Sequence, residues 1–466
     1  MNLVESILNT LRNKTFNSLG VERDLLQLIQ DRDISQAKNM FQNRDAEVSK
    51  AILEYNPTTH DVMKRPDKPR KGKAPYKVEK LPRTRQRYIN EVELFFLLGK
   101  PIKWKNNSDN TEETDEAFKA FNEFLKDIRF DTAMRQGKRL AGAKTESAKV
   151  YHIYNDNGVP KVKILVIAKS KGYTLRPLFD QYENMIAFGH GYYLNENGKT
   201  IEHFDIETPS CMYKCKRGSL GWDVGMIPNP TGKINIIYNR QPKAWDGTQP
   251  RCDREEFLDS RTGDTNNYFA DPKVKATADV INSLADPSTV GEVIQLQGKD
   301  SSIEYLAPPS YSDMKDSEKK DLNNSILFDS FTPDFSFENM KGMGTLSGEA
   351  LKRAMTLGYI KRDNLKEIYD ILVDREKNLI LSIMMNVTHV HLREKLSKLK
   401  IGHEFAEPFN EDQDKRWGAI GQLYKDGIIS IEKAIEMLAL VDDPKRELSR
   451  ILKEEQNLSS DIEITE

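Results

Sequence analysis

The 466-residue chain has little of what staples, coordinates or anchors a protein. Its three cysteines, Cys211, Cys215 and Cys252, are an odd number in a chain too long to need disulfide staples, and they read as reduced thiols of an intracellular compartment. The spacing of Cys211 and Cys215 suits few zinc sites, and a second pair to complete four ligands is missing. The seven histidines are scattered without a zinc-protease spacing; His389 and His391, two residues apart, would not share a helical face and read as structural. Phosphate-loop and dinucleotide-fingerprint glycine patterns are missing too, which argues against an ATP or dinucleotide site, and no cofactor or metal is expected.

Long apolar runs are also scarce. The longest, Leu94 to Leu98, falls far short of the roughly 20 residues a membrane span requires. The first twenty residues carry Glu5, Asn9, Arg12 and Lys14, so neither a signal peptide nor a membrane helix is expected. Charge of one sign is not in excess, with 70 Lys+Arg against 72 Asp+Glu, which argues against wholesale electrostatic binding of nucleic acid.

What is present divides along the chain, and on a prior of about 100–200 residues per domain two to four units are expected. Short amphipathic helices are expected up to Tyr55, on Leu3, Ile7 and Leu11, then Leu25, Leu26 and Ile29, then Ala46, Val48 and Ile52. Residues 64–87 interleave eleven cations with Pro66, Pro69, Pro75 and Pro82, which forbid a helix and predict an extended basic arm. Two readings of it stand: a solvated loop, or a segment lying on phosphates or on an acidic neighbouring subunit. An apolar helix from Tyr88 should stop at Gly99, with Pro101 barring its resumption. A second helix is expected from Asp115 to about Arg139, with Phe118, Phe121, Phe124, Leu125 and Ile128 buried. From Val150 to Met226 the period changes to that of strands, and Asn157-Gly158 and Asn197-Gly198 predict hairpins in an antiparallel meander, followed by Ile234 to Tyr238.

After Pro250 the spacing predicts helices over Cys252 to Phe269 and Lys273 to Leu284, a hairpin of Glu292 to Gln297 with Ser302 to Leu306, and a helix from Tyr311 to Phe328. Asp253, Glu255, Glu256, Asp259 and Asp264 show no acid/base or two-metal spacing and read as a solvated helix face. Gly189-His190-Gly191 reads as a strand bulge.

The centre of the chain is Phe331 to Val387. A loop bearing Phe335, Phe337, Met340, Lys341, Gly342, Met343 and Gly344 leads into a long helix capped by Ser347, with Gly358 as its candidate kink. Local sequence alone favours a loop tucked into a core. Beyond Pro408, Trp417 to Tyr424, Ser430 to Leu440 and Asp443 to Glu455 predict a short helical domain, with Ser430 as an N-cap and an acidic, frayed end.

The order of these parts resembles the portal proteins of tailed bacteriophages, from about Tyr88 to Glu455. Four stretches carry it: YINEVELFFLLGKPIKW, the Val150 to Met226 meander, LSGEALK at 346–352, and RWGAIGQLYKDGIISIEKAIEML with the following VDDPKRELSRI. The resemblance implies an α+β fold of portal type: a mixed wing over 1–250, stem helices at 251–271 and 310–330, a small α/β clip at 272–309, a tunnel loop at 331–346, a long wing or spine helix with its return over 347–407 and a helical crown from 408. It implies a non-enzymatic subunit of a dodecameric ring in the virion, at one capsid vertex, assembled in the host cytoplasm. Double-stranded DNA would be packaged and ejected through its channel. Terminase motor, head-completion adaptor, major capsid and scaffolding proteins are the implied partners. Met340, Lys341, Gly342, Met343 and Gly344 would face the DNA, and Glu292, Gln295, Gln297, Lys299, Asp300 and Glu304 would dock partners. Two rival readings are a metal-dependent DNA-processing enzyme such as a nuclease, which needs a carboxylate cluster, and a virion scaffold or ring component that never touches DNA.

Overall fold

Two Asn-Gly pairs set the β structure. Asn157 and Gly158 have φ of 53° and 88°, Asn197 and Gly198 of 50° and 78°, the doubly positive geometry of two-residue hairpin turns. The first joins β4 (Glu146–Asp156) to β5 (Val159–Ile167), and the second joins β7 (Met185–Glu196) to β8 (Lys199–Glu207), where the numbering counts β1 (Lys68–Arg70), β2 (Lys73–Tyr76) and β3 (Lys103–Asn106) before them. The computed structural model describes residues 24–70, 73–109, 112–270, 274–276, 303–305, 312–341, 353–409, 413–438 and 447–453.

The predicted meander is two sheets. With β6 (Thr174–Phe179), β9 (Cys211–Arg217) and β10 (Trp222–Pro228), five antiparallel strands run in the order β10-β9-β8-β7-β6. The returning strand β11 (Ile236–Arg240) pairs instead with β4, giving β11-β4-β5. Leu175, Met185 and Phe188 of the larger sheet pack on Ala148, Val150, Ile167, Ile236 and Tyr238 of the smaller. Helices α1 (Leu25–Gln30) and α2 (Ile34–Met40) join the other core of the larger sheet through Ile29 and Ile34, beside Phe204, Ile206 and Trp222. The amphipathic segments up to Tyr55 are thus helical where described, with α3 (Asp45–Tyr55) as the third.

The Gly189-His190-Gly191 bulge is not there. These residues lie in regular register within β7, and the irregularity falls at Leu178/Phe179. The glycines make room: a Cβ on Gly189 would come within 2.5 Å of the Phe204 ring.

Helix α4 (Arg85–Leu98) stops at Gly99 as its sequence predicts. The expected helix from Asp115 to Arg139 is two, α5 (Glu112–Asp127) and α6 (Phe130–Lys144), because Arg129 adopts a left-handed conformation with φ 53°. The break lets Phe121 and Phe124 of α5, and Phe130 and Met134 of α6, enter one core with Leu94 and Leu97 of α4.

Helix α7 (Gln249–Ala270) runs antiparallel to α8 (Ser312–Asp329), with Arg251 beside Asp329 and Arg254 beside Glu318 at 2.8 Å. Between them β12 (Val274–Ala276) pairs with β13 (Ile303–Tyr305). The expectation of helix from Lys273 is therefore wrong at its start: Val274 and Ala276 are β-branched or small residues opposite Tyr305 and Ile303, and cross-strand pairing outweighs helical spacing. Glu292 to Gln297 lies outside the described residues, as does Ser347.

The chain forms two compact units, one from residues up to Asp334 with Leu357–Ala406, the other from Phe335–Thr356 with Glu407 onward. Following the short helix α9 (Phe337–Lys341), helix α10 (Thr356–Ile383) buries Leu365, Tyr369, Val373, Leu379 and Ile380 in the core of the first unit, then widens into a π-turn over Met384–Thr388. Gly358, in its first turn, supplies close approach: the Phe96 ring of α4 lies where its Cβ would be. After α11 (Arg393–Lys398), β14 (Ile401–Glu404) pairs with β3. In the second unit α12 (Gln413–Lys425) and α13 (Ile431–Leu438) are joined through Gly427, φ 70°, and the Ser430 hydroxyl accepts from Lys433 N at 3.2 Å, the predicted N-cap. Residues 447–453 are helical.

Candidate functional site

The candidate site is the α7–α8 pair with the segments that hold it and follow it. Along α7, Glu256, Ser260 and Asp264 recur every four residues, so they stack on one face about 6 Å apart. Along the basic arm, the backbone N–H groups of Glu79, Leu81 and Arg83 recur every two residues of extended chain, about 6.6 Å apart. The two periods match. Glu79 N donates to Asp264 Oδ1 at 2.7 Å, Leu81 N to Ser260 Oγ at 2.9 Å, and Arg83 N to Glu256 Oε1 at 2.8 Å. Helix side chains thereby take the place of a sheet partner for a strand-like segment.

Arm cations close the arrangement. Arg65 Nη2 lies 2.7 Å from Asp264, Arg85 Nη2 2.8 Å from Glu255, and Arg83 bridges Glu255 and Asp259, while Lys319 of α8 reaches Asp259 at 2.9 Å. Burial works against the Asp264 charge, but the Glu79 N–H and Arg65 outweigh it, and its pKa falls. His60 Nδ1 sits 2.7 Å from Glu256; burial opposes its charge, yet Glu256 raises its pKa. Both sequence expectations are corrected here. Glu255, Glu256 and Asp264 are buried, not solvated, and the described arm lies on an acidic helix of its own chain. The contacts span 170 to 199 residues, a separation that periodicity does not register.

Behind the pair, buried ions join it to α10. Lys361 donates to Ser330 O at 2.9 Å and Ala244 O at 2.8 Å, and meets Glu93 at 3.2 Å; Glu93 also receives Lys138 and, at 2.9 Å, Gln241 Nε2. Burial alone would raise the Glu93 pKa, but Lys138 and Lys361 bring it below the usual range. Farther along α10, Glu376 receives Lys149 and Tyr151. This ion cluster carried no motif in the sequence; charged residues at otherwise apolar helix positions, such as Glu93 in the run before Leu94, were its one signal.

Of the five expected DNA-facing residues, Met340 and Lys341 are described, in α9, while Gly342, Met343 and Gly344 lie outside the described residues. Phe337 is 75% exposed and Met340 43%, so the tucked-in reading fails for both. A helical turn interrupts the expected loop, closed by Met340 N on Ser336 O at 2.9 Å, and Lys341 Nζ stands 4.9 Å from the Phe337 ring centroid. Of the expected docking residues, Glu304 pairs with Lys275 in the backbone register of β12 and β13; Glu292, Gln295, Gln297, Lys299 and Asp300 lie outside the described residues. Among the described residues, no group of three or more His, Cys, Asp or Glu is arranged to hold a metal, and no helix is long and apolar enough to cross a membrane.

A family model described as "Phage portal protein, SPP1 Gp6-like" matches residues 26–461. No curated protein matches the chain. Similar solved structures include the neck of a native GTA particle computed with C12 symmetry, at 10% identity and TM-score 0.44, covering 88% of this chain and 98% of that one. The neck of an empty GTA particle computed with C6 symmetry matches at 10% identity and TM-score 0.42, covering 77% and 89%.

Proposed function

The chain belongs to the SPP1 Gp6-like family of phage portal proteins, and from that premise we propose that it is a subunit of a dodecameric portal ring in the virion, forming the channel through which double-stranded DNA is packaged and ejected. The observation that carries this reading is the family match, which extends over 26–461, nearly the whole chain. In this proposal α7 and α8 are the stem, the segment between them containing β12 and β13 is the clip that docks terminase and then a head-completion adaptor, and residues 331–346 form the tunnel segment. The α10 helix is the spine, residues from 408 form the crown, and the preceding body is the wing, facing capsid and scaffolding proteins.

Physical chemistry supports a conduit. Each phosphate neutralised by a cation adds salt-dependent affinity that would arrest sliding DNA. A tunnel segment presenting Phe337 and Met340 with Lys341 as its cation touches a phosphate backbone loosely. The α7 carboxylates, already engaged by arm cations and backbone, suit rigidity of a stem rather than chemistry. Electron microscopy of the purified protein tests the reading. Rings with a central hole are expected; monomers under every assembly condition would overturn it. Deleting residues 340–344 should leave rings intact and block DNA filling of heads, and normal filling would remove this segment from the mechanism. Replacing 292–306 should abolish motor or adaptor binding.

A further inference from the structure

A cavity of about 440 Å³ opens where α10 passes the loop between β10 and β11. Its walls are apolar, from Met185, Ile234, Ile237 and Leu379, and two cations enter it, Arg375 of α10 and Lys233 of the loop. The lining contains no carboxylate. The carboxylates on either side of Arg375 in the helix are committed elsewhere: Asp374 to Lys377 and His403, and Glu376 to Lys149 and Tyr151.

Arg375 is partly buried, yet among the described residues its guanidinium makes no hydrogen bond or ion pair. A guanidinium carries five N–H donors, and withdrawing them from water without acceptors is costly. Burial lowers the pKa of Arg375; that of Lys233, an exposed residue that lines the cavity, is lowered too, and its Nζ donates to the Asn378 carbonyl at 3.2 Å. A partly buried guanidinium without a compensating anion is the reverse of the Glu93 cluster, where the buried Lys138 and Lys361 both meet a carboxylate.

We propose that this cavity binds a carboxylate on an aliphatic stem, the carboxylate taking Arg375 and Lys233 and the stem lying against Met185, Ile234, Ile237 and Leu379. A guanidinium fork matches a carboxylate in paired hydrogen bonds, and the volume is that of a small ligand. A phosphodiester is polar throughout and would leave the apolar wall unused. The carboxylate has two sources, a free aliphatic acid or an acidic side chain of a second copy of this chain. The site stands on the cavity alone and does not depend on the portal reading.

The test uses octanoate with the full chain, followed by calorimetry, and octanamide as its neutral counterpart. Saturable octanoate binding is expected, at least ~10-fold tighter than octanamide, with Arg375→Met abolishing that preference and Lys233→Gln reducing it. Equal binding of acid and amide by the unaltered protein, or no binding, overturns the proposal without reliance on any variant. Sedimentation in the same titration separates the sources: dissociation of assemblies by octanoate, and not by octanamide, assigns the site to a neighbouring copy, whereas binding with assembly unchanged assigns it to a free acid.

Discussion

Arg65 and Asp264, 199 residues apart, meet at 2.7 Å, and the same carboxylate takes the Glu79 backbone N–H through its other oxygen. One side chain thus holds both the root and the middle of the basic arm on α7. Asp264→Ala should leave Arg65 partly buried without its counter-ion and free the arm. We expect a loss of about 3 kcal/mol in chemical denaturation, and faster amide exchange over residues 73–84. Unchanged exchange there would show that Ser260 and Glu256 suffice.

Gly358 offers a prediction of sign. Glycine to alanine inside a helix ordinarily stabilises by up to about 1 kcal/mol. Here the added Cβ would come within 2.5 Å of the Phe96 ring, so Gly358→Ala should destabilise by about 1–3 kcal/mol. Adding Phe96→Leu should recover part of the loss, which a double-mutant cycle would read as coupling.

A pH dependence follows from Glu207, buried on β8, whose pKa burial raises from 4.5 to about 7. Between those values the unfolded chain has released a proton that the folded chain keeps, so this group's contribution is full below 4.5 and lost as pH rises through 7. His190 acts in the opposite direction: burial lowers its pKa to about 4, and folding gains as pH rises from there toward 6.5. Comparing Glu207→Gln with the unaltered chain at matched pH isolates the first effect. The variant should gain relative stability from pH 5 to 8, approaching roughly 3 kcal/mol.

The second unit has its own test. Ser430→Ala removes the acceptor of the Lys433 N–H and should cost about 1 kcal/mol of local stability, seen as faster amide exchange in Ile431–Leu438. Exchange in the first unit should not change.

Local chemistry was legible in the sequence. The two Asn-Gly turns, the Gly99 stop, the Ser430 cap and the helices α7 and α8 all rest on interactions within a few residues. The break at Arg129 was not, because a non-glycine left-handed residue carries no mark of its own; packing of Phe130 on the far side enforces it. Burial of Glu255, Glu256 and Asp264 escaped for another reason. Their spacing looks like a wet helix face until a strand with matching donors, encoded some 170 or more residues earlier, is laid along it. For the candidate site, Met340 and Lys341 are exposed on α9, against the local sequence bias toward a packed loop.

Ala148 pairs on one side with Ile167 and on the other with Tyr238. The chain therefore leaves the three-stranded sheet and returns to it through points two strand spacings apart, about 10 Å. Everything between, the whole five-stranded lobe, is an excursion from a narrow neck. Changes of length at its outer hairpins need not re-register the strands beneath, so this lobe is where the surface can diverge, or accept a grafted peptide, while the scaffold under it stays the same.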